Sequence, residues 1–111
     1  MGIDRLVMIK SVSLKNNGIS DDHEREILAL LSITKVRNLD LSCNNINRLA
    51  GHIGRKLRDE ITHLRWFDIT QNDYVHDPKE QAMAARANAD IISGLKKQKE
   101  LAYAGVSTKG Q

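Results

Sequence analysis

The sequence is poor in cysteine, since Cys43 is the only one among 111 residues. A single thiol cannot form a disulfide within the chain, and no charged-then-apolar leader follows Met1, so we expect a reducing, cytoplasmic location. Long hydrophobic runs are also missing. No apolar stretch approaches the roughly 20 residues that a membrane-spanning helix needs. The sequence therefore gives no support for membrane attachment.

Aromatic residues are scarce, and charge of neither sign is in large excess. The aromatic residues are Trp66, Phe67, Tyr74 and Tyr103. A core must therefore consist mainly of Leu, Ile, Val and Ala, which suits helices packed on strands in a single domain over 1–111. The 17 basic and 14 acidic residues are interleaved and give a net charge of +3. This mild charge does not by itself indicate a nucleic-acid partner.

Three segments of the chain share the pattern apolar-x-x-apolar-x-apolar-x-x-Asn-x-apolar. They superimpose without gaps over 9–19, 36–46 and 64–74. The asparagine recurs at intervals of 27 and 28 residues, as Asn17, Asn44 and Asn72. A pattern repeated at this interval predicts structurally equivalent units stacked along the chain.

Each position of the pattern has a physical role. Two apolar residues separated by one, such as Leu39 and Leu41, have the period of a strand and point to the same, buried side. The equivalent pairs are Val12 with Leu14 and Phe67 with Ile69. The asparagine follows the strand, where its amide can satisfy backbone groups freed in the turn. We therefore expect the three amides to form a structural ladder.

The connections between the strands have helical periodicity. Apolar residues of the second connection follow at four-residue steps, at Leu49, Ile53, Leu57 and Ile61. This spacing predicts an amphipathic helix. In the first connection Asp21 is the expected N-cap, with Glu24 three residues later.

The carboxyl-terminal segment predicts a helix that caps the stack. Asp77 and Pro78 form a strong helix start, and an apolar stripe continues to Leu101, so we place a capping helix over 77–103. The following residues, 104–111, have little periodicity. We expect them to form a flexible tail.

The repeated pattern resembles the leucine-rich-repeat family, whose signature is L-x-x-L-x-L-x-x-N-x-L. The period is similar to that of the ribonuclease-inhibitor-like class, with about three repeats over 9–76. The resemblance implies a short α/β solenoid with parallel strands on the concave face, helices on the convex face and a C-terminal capping helix. An unrelated β-α-β-α-β domain would have the same secondary structure, but the register of the asparagines favours the repeat.

Leucine-rich repeats mostly act as recognition scaffolds, so the resemblance implies a protein-protein interaction module without a cofactor and without catalysis. The expected partner-binding residues project outward from the strands: Asn38, Asp40, Ser42, Trp66, Asp68 and Thr70. Trp66 beside two acids would anchor a partner that carries Arg or Lys. Hydrolysis by paired carboxylates needs a pocket, which a shallow strand face does not offer.

Other interpretations remain open. One alternative places Trp66 under the C-terminal helix, with both acids solvated or paired with Arg37, Arg65 or Lys15. A homo-oligomer could form through a solenoid end, because only 1–8 precede the first repeat, or through the C-terminal helix.

A minor alternative is nucleic-acid binding through basic helix faces, although the aromatic residues lie elsewhere. The basic residues concerned are Arg55, Lys56, Arg58, Lys96, Lys97 and Lys99. The four histidines and Cys43 lack metal-ligand spacing, so no metal site is predicted and Cys43 is interpreted as a neutral free thiol.

Overall fold

A computed structural model describes residues 10–72 and 81–106, in which strands and helices alternate along the chain. The elements are β1 (Ser11–Ser13), α1 (Glu24–Ser32), β2 (Asn38–Asp40), α2 (Leu49–Asp59), β3 (Trp66–Asp68), α3 (Gln81–Leu95) and β4 (Tyr103–Gly105). A 3-10 turn, Asp21–His23, leads into α1.

The strands of the described residues form one parallel sheet in the order β1-β2-β3-β4. Their central residues are partners across the sheet: Val12, Leu39, Phe67 and Ala104. Strands that follow one another in sequence are therefore neighbours, and each connection returns the chain to begin the next strand in the same direction. The predicted α/β class with parallel strands is confirmed.

The helix predicted for 77–103 is shorter in the structure. Helix α3 ends at Leu95, and 77–80 lie outside the described residues. The buried side chain of Gln98 explains the ending, because a buried amide needs hydrogen-bond partners. Its amide bonds to backbone groups of Ile61, Leu64 and Gly94. These bonds hold the chain in a turn away from the helix.

The tail predicted for 104–111 begins with part of a strand. Ala104 and Gly105 belong to β4, whereas 107–111 lie outside the described residues. Backbone pairing explains the difference, because β3 without a further neighbour would present a row of unpaired N–H and C=O groups. The Ile69 N–H, for example, donates to the Gly105 carbonyl at 2.8 Å.

The core joins one side of the sheet to the helices. Leu41, Phe67 and Ile69 are fully buried, as the two-residue period of the pattern predicts. Helices α2 and α3 approach each other closely through a glycine. A Cβ added at Gly94 would lie 2.5 Å from the Leu57 Cβ, so a larger residue would force the helices apart.

Asn44 is buried and bonds to two successive units of the sheet. Its Oδ1 accepts hydrogen bonds from the N–H groups of Asn17 and Ile19, both at 2.9 Å. Its Nδ2 donates to the Leu14 carbonyl at 2.9 Å and to the Leu41 carbonyl at 3.0 Å. One amide thus satisfies backbone groups of the preceding turn and of its own turn.

Asn72 makes the same type of contacts one unit later. Its Oδ1 accepts from the Ile46 N–H at 3.0 Å, and its Nδ2 donates to the Leu41 carbonyl at 3.0 Å. Asn17 differs, because it is exposed and its Nδ2 donates locally to the Lys15 carbonyl. Of the repeated asparagines, only the second and third therefore reach back to a preceding described unit.

The chain leaves the first three strands through the same backbone turn. The residue before each repeated asparagine has a left-handed conformation, with φ of 57° at Asn16, 58° at Cys43 and 59° at Gln71. Asparagine tolerates this conformation better than most residues, whereas Cys43 adopts it at some cost. The matching angles make the three turns structurally equivalent.

Helix capping also links successive units. The prediction that Asp21 caps its own helix is wrong. Ser20 caps the 3-10 turn that leads into α1, since its hydroxyl accepts from the Asp22 N–H and its N–H donates to His23 Nδ1 at 3.0 Å. The Asp21 carboxylate instead accepts from the N–H groups of Asn47 and Leu49 at the start of α2, each at 3.0 Å. A carboxylate is favourable there because the amino end of a helix carries unpaired donors and a partial positive charge.

Candidate interaction face

The strand residues that alternate with the core form two rows across the sheet, which we call the outer strand face. The first row is Ser11, Asn38, Trp66 and Tyr103, and the second is Ser13, Asp40, Asp68 and Gly105. The register brings together the outward residues of the three repeats in the order expected from the sequence. It adds β4, which the sequence interpretation had not placed in the sheet.

Trp66 lies against Tyr103 on the neighbouring strand. The ring centroids are 4.7 Å apart, and the ring planes make an angle of 21°. Trp66 is half-buried, whereas Tyr103 is 42% exposed. The ring of Trp66 therefore stacks on a residue of the neighbouring strand. The alternative that places Trp66 under the C-terminal helix does not account for this contact.

Tyr103 is also bonded to the second row of the face. Its hydroxyl donates to Asp68 Oδ2 at 3.2 Å. The negative charge of Asp68 and this hydrogen bond, with smaller contributions from burial and from Asp40, raise the pKa of Tyr103 above its usual value. Gly105 leaves the necessary space, since an added Cβ would lie 2.7 Å from both Asp68 Oδ2 and the Tyr103 hydroxyl.

The two acids of the face are oriented by the same local motif. Asp40 Oδ1 accepts from the N–H and the hydroxyl of Ser42, at 2.9 and 2.6 Å. Asp68 Oδ1 accepts from the N–H and the hydroxyl of Thr70, at 2.8 and 2.7 Å. These contacts engage one oxygen of each carboxylate and hold it at the carboxyl end of its strand.

This motif changes the roles of two residues predicted to bind a partner. Ser42 is only 4% exposed, so it offers almost no surface, and Thr70 is half-buried. Both hydroxyls point to the preceding carboxylate. Their contribution is to position Asp40 and Asp68.

Neither Asp40 nor Asp68 forms an ion pair with a basic side chain of residues 10–72 and 81–106. Arg37, one of the bases considered for such a pair, contacts Glu100 instead. The two carboxylates instead accept hydrogen bonds from the hydroxyl groups of Ser42, Thr70 and Tyr103.

A shallow depression of about 360 Å³ lies beside Trp66. Its lining residues are Ser11, Val12, Ser13, Asn38, Asp40 and Trp66. The Asn38 amide donates to the Ser11 hydroxyl at 2.7 Å and fixes one wall. The depression thus combines an aromatic surface, hydroxyl groups and one carboxylate.

Sequence reasoning missed the part that Tyr103 and Gly105 play in this face. A signal was present, because Leu101, Ala104 and Val106 have the spacing of Leu64, Phe67 and Ile69. The interval between the third and fourth copies is longer than 27 or 28 residues, and the fourth copy has no asparagine at the corresponding position. A search at a fixed period therefore does not find it.

The three histidines of the described residues are not part of the outer strand face. His52 contacts Glu24, and His23 closes the first helical turn. Burial and the charge of Arg37 lower the pKa of His63 below its usual value. Within the described part of the chain, no three His, Cys, Asp or Glu side chains gather in a way that could hold a metal ion.

No helix within 10–72 or 81–106 has both the length and the apolar character needed to cross a membrane. No protein-family model matches the sequence, and a search of curated proteins found no match.

Proposed function

We propose that the protein is an interaction module of the leucine-rich-repeat type, which binds a basic segment of another protein through its outer strand face. The observation that carries the proposal is the stacked pair of Trp66 and Tyr103 beside two carboxylates that lack an ion-pair partner among the described residues. The repeated left-handed turns and buried asparagines support the resemblance to this repeat class.

The chemistry of the face fits an arginine or lysine side chain. The aliphatic stem can lie in the depression against Trp66, while the charged head approaches Asp40, which lines the same depression. A cation above an aromatic ring gains about 0.5–2 kcal/mol, depending on how far it is desolvated. Aromatic residues and charge pairs of this kind often supply most of the affinity of an interface.

The groups of the face are already held in place before a ligand arrives. Ser42 and Thr70 orient the two carboxylates, and the hydrogen bond to Asp68 fixes the Tyr103 ring. Binding therefore requires little ordering of these side chains, which reduces the entropic cost of association.

Selection from a random peptide library displayed on phage tests the proposal directly. We expect the selected peptides to be enriched in arginine or lysine next to an apolar residue. Titration of a selected peptide should shift the amide resonances of β2, β3 and β4. Trp66→Ala should weaken binding about 10-fold or more, the effect of removing an interface hot spot.

Charge variants provide the matched comparison. Asp40→Asn with Asp68→Asn removes two charges from the face and should lower the affinity for the same peptide. Glu26→Gln with Glu60→Gln removes two charges from exposed positions outside the face and should leave affinity nearly unchanged. Peptides without basic residues, or equal effects of both double variants, would contradict the proposal.

Self-association through the β1 end is a second candidate. It is favoured by the incomplete burial of Val12, Leu14 and Ile19, whose counterparts in the second unit are fully buried. A second copy could complete the burial of these side chains. Sedimentation velocity at increasing concentration should then show a dimer that Val12→Lys abolishes, whereas a monomer at every concentration would remove this candidate.

A further inference from the structure

A row of basic residues lies at the amino end of the sheet, where each strand begins. Lys10, Arg37 and Arg65 directly precede β1, β2 and β3. The Lys10 carbonyl accepts from the Arg37 N–H at 2.9 Å, and the Arg37 carbonyl accepts from the Arg65 N–H at 2.7 Å. The three residues therefore hold matching positions on adjacent strands, which are about 4.8 Å apart in a sheet.

These residues line a groove of about 440 Å³, which adjoins the depression beside Trp66 at Asn38. The other lining residues are Thr34, Lys35, Asn38 and Glu100. Among the described residues, four cations and one carboxylate line the groove, so their positive charge is in clear excess. The volume falls in the range of small-molecule sites, about 300–1,000 Å³.

Glu100 balances only part of this charge. Its carboxylate contacts the Arg37 guanidinium, but the Glu100 side chain is 65% exposed. An exposed ion pair contributes little free energy and can be replaced by a better ligand of the cation. Lys10, Lys35 and Arg65 form no ion pair with another described residue. The described part of the groove thus has three positive charges without a counter-ion and a fourth whose counter-ion can move away.

We infer that this groove binds a compact anion with at least two linked phosphoryl groups. The planar guanidinium groups of Arg37 and Arg65 match the geometry of phosphate oxygens, and the lysines supply further positive charge. Thr34 and Asn38 add neutral polar groups at the walls. Several cations converging on one small groove favour an anion of high charge density over a single carboxylate.

The lining residues favour a phosphate chain over nucleic acid. Within 10–72 and 81–106, no aromatic side chain lines the groove, whereas single-stranded nucleic acid is usually held by stacking of its bases on aromatic residues. The basic residues that the sequence suggested for nucleic acid lie on α2 and after α3, and they are not among the lining residues of the groove.

Isothermal titration calorimetry of the full chain with sodium tripolyphosphate at low salt tests the inference. We expect saturable binding that weakens as salt is added, because the contacts are ionic. Arg37→Gln with Arg65→Gln should lower the affinity about 10-fold or more, since two charge-assisted contacts are removed. Glu100→Gln should raise it about 3-fold, because the competing carboxylate is lost.

A matched control removes two exposed arginines elsewhere, Arg55→Gln with Arg86→Gln. We expect less than about a 2-fold change in affinity, because neither arginine lines the groove. Salt also screens the attraction between an exposed charge and a ligand that it does not contact. An equal loss in both double variants would overturn the site, and so would weaker binding after Glu100→Gln. Binding of oligouridylate that tripolyphosphate cannot displace would also overturn it and assign the groove to nucleic acid.

Discussion

The first and second units of the sheet have the same residue pattern but bury it to different extents. Leu39 and Leu41 in the second unit are 0% exposed, whereas Val12 and Leu14 in the first are only partly buried. In the described chain β2 has a strand on each side and β1 has one neighbour. The contribution of a repeat position to stability thus depends on the neighbouring units as well as on the residue itself.

Equivalent leucines in these two units should differ most in their contribution to the free energy of unfolding. Leu41→Ala should lower the free energy of unfolding by about 3 kcal/mol, because it leaves a cavity in a fully packed core. Leu14→Ala should cost about 1 kcal/mol, since part of that side chain is already exposed. Urea unfolding followed by circular dichroism measures both. Equal losses would show that the two units are packed to the same extent.

The next comparison uses the repeated asparagines. Asn44→Ala removes the acceptor of the Asn17 and Ile19 N–H groups and should cost about 2 kcal/mol, the penalty for partly buried groups left without partners. Asn17→Ala should cost less than about 0.5 kcal/mol, because that side chain is exposed. Chemical denaturation of both variants gives the two values, and a cost at Asn17 as large as that at Asn44 would contradict the comparison.

The contact between Tyr103 on β4 and Asp68 on β3 can be tested through the pKa of Tyr103. Asp68→Asn removes the main cause of the raised pKa, so the pKa should fall towards the ordinary 10.0. All variants in this comparison also carry Tyr74→Phe, which leaves Tyr103 as the only titrating tyrosine. Spectrophotometric titration then measures the change. Asp59→Asn, at an exposed position of α2, is the control and should leave the Tyr103 pKa unchanged.

A smaller effect is expected in the pH dependence of stability, through His63 just before β3. Because burial lowers the folded-state pKa of His63 below 6.5, the unfolded chain binds a proton more readily. Stability should therefore decrease as the pH falls below about 6.5. His63→Gln should reduce this decrease, as measured by the urea midpoint at several pH values. An unchanged pH dependence in that variant would show that His63 does not contribute.

Much of the fold could be predicted because the repeat carries both the strand period and the turn residue. Leu39, Phe67 and their alternating partners identify the strands, and the asparagines fix the register. The fourth strand could not be found in this way. Gln98 ends the preceding helix through long-range backbone contacts, and such contacts are not visible in local sequence.

The candidate site was predictable only in outline. Alternation placed Trp66, Asp40 and Asp68 on the outward side, and the parallel register set them in rows. The sequence did not indicate that the Ser42 hydroxyl turns back to the Asp40 carboxylate, because alternation specifies the side of a sheet and not a rotamer. Tyr103 was assigned to a helix, so the aromatic pair was missed.

The register of the four parallel strands assembles the outer strand face, with Trp66 stacked on Tyr103. The most direct measurement is a nuclear Overhauser spectrum with assigned aromatic resonances. Cross-peaks between the Trp66 indole and the Tyr103 ring are the expected result, since the ring centroids are 4.7 Å apart. Cross-peaks from Trp66 to methyl groups of α3, with none to Tyr103, would contradict the account.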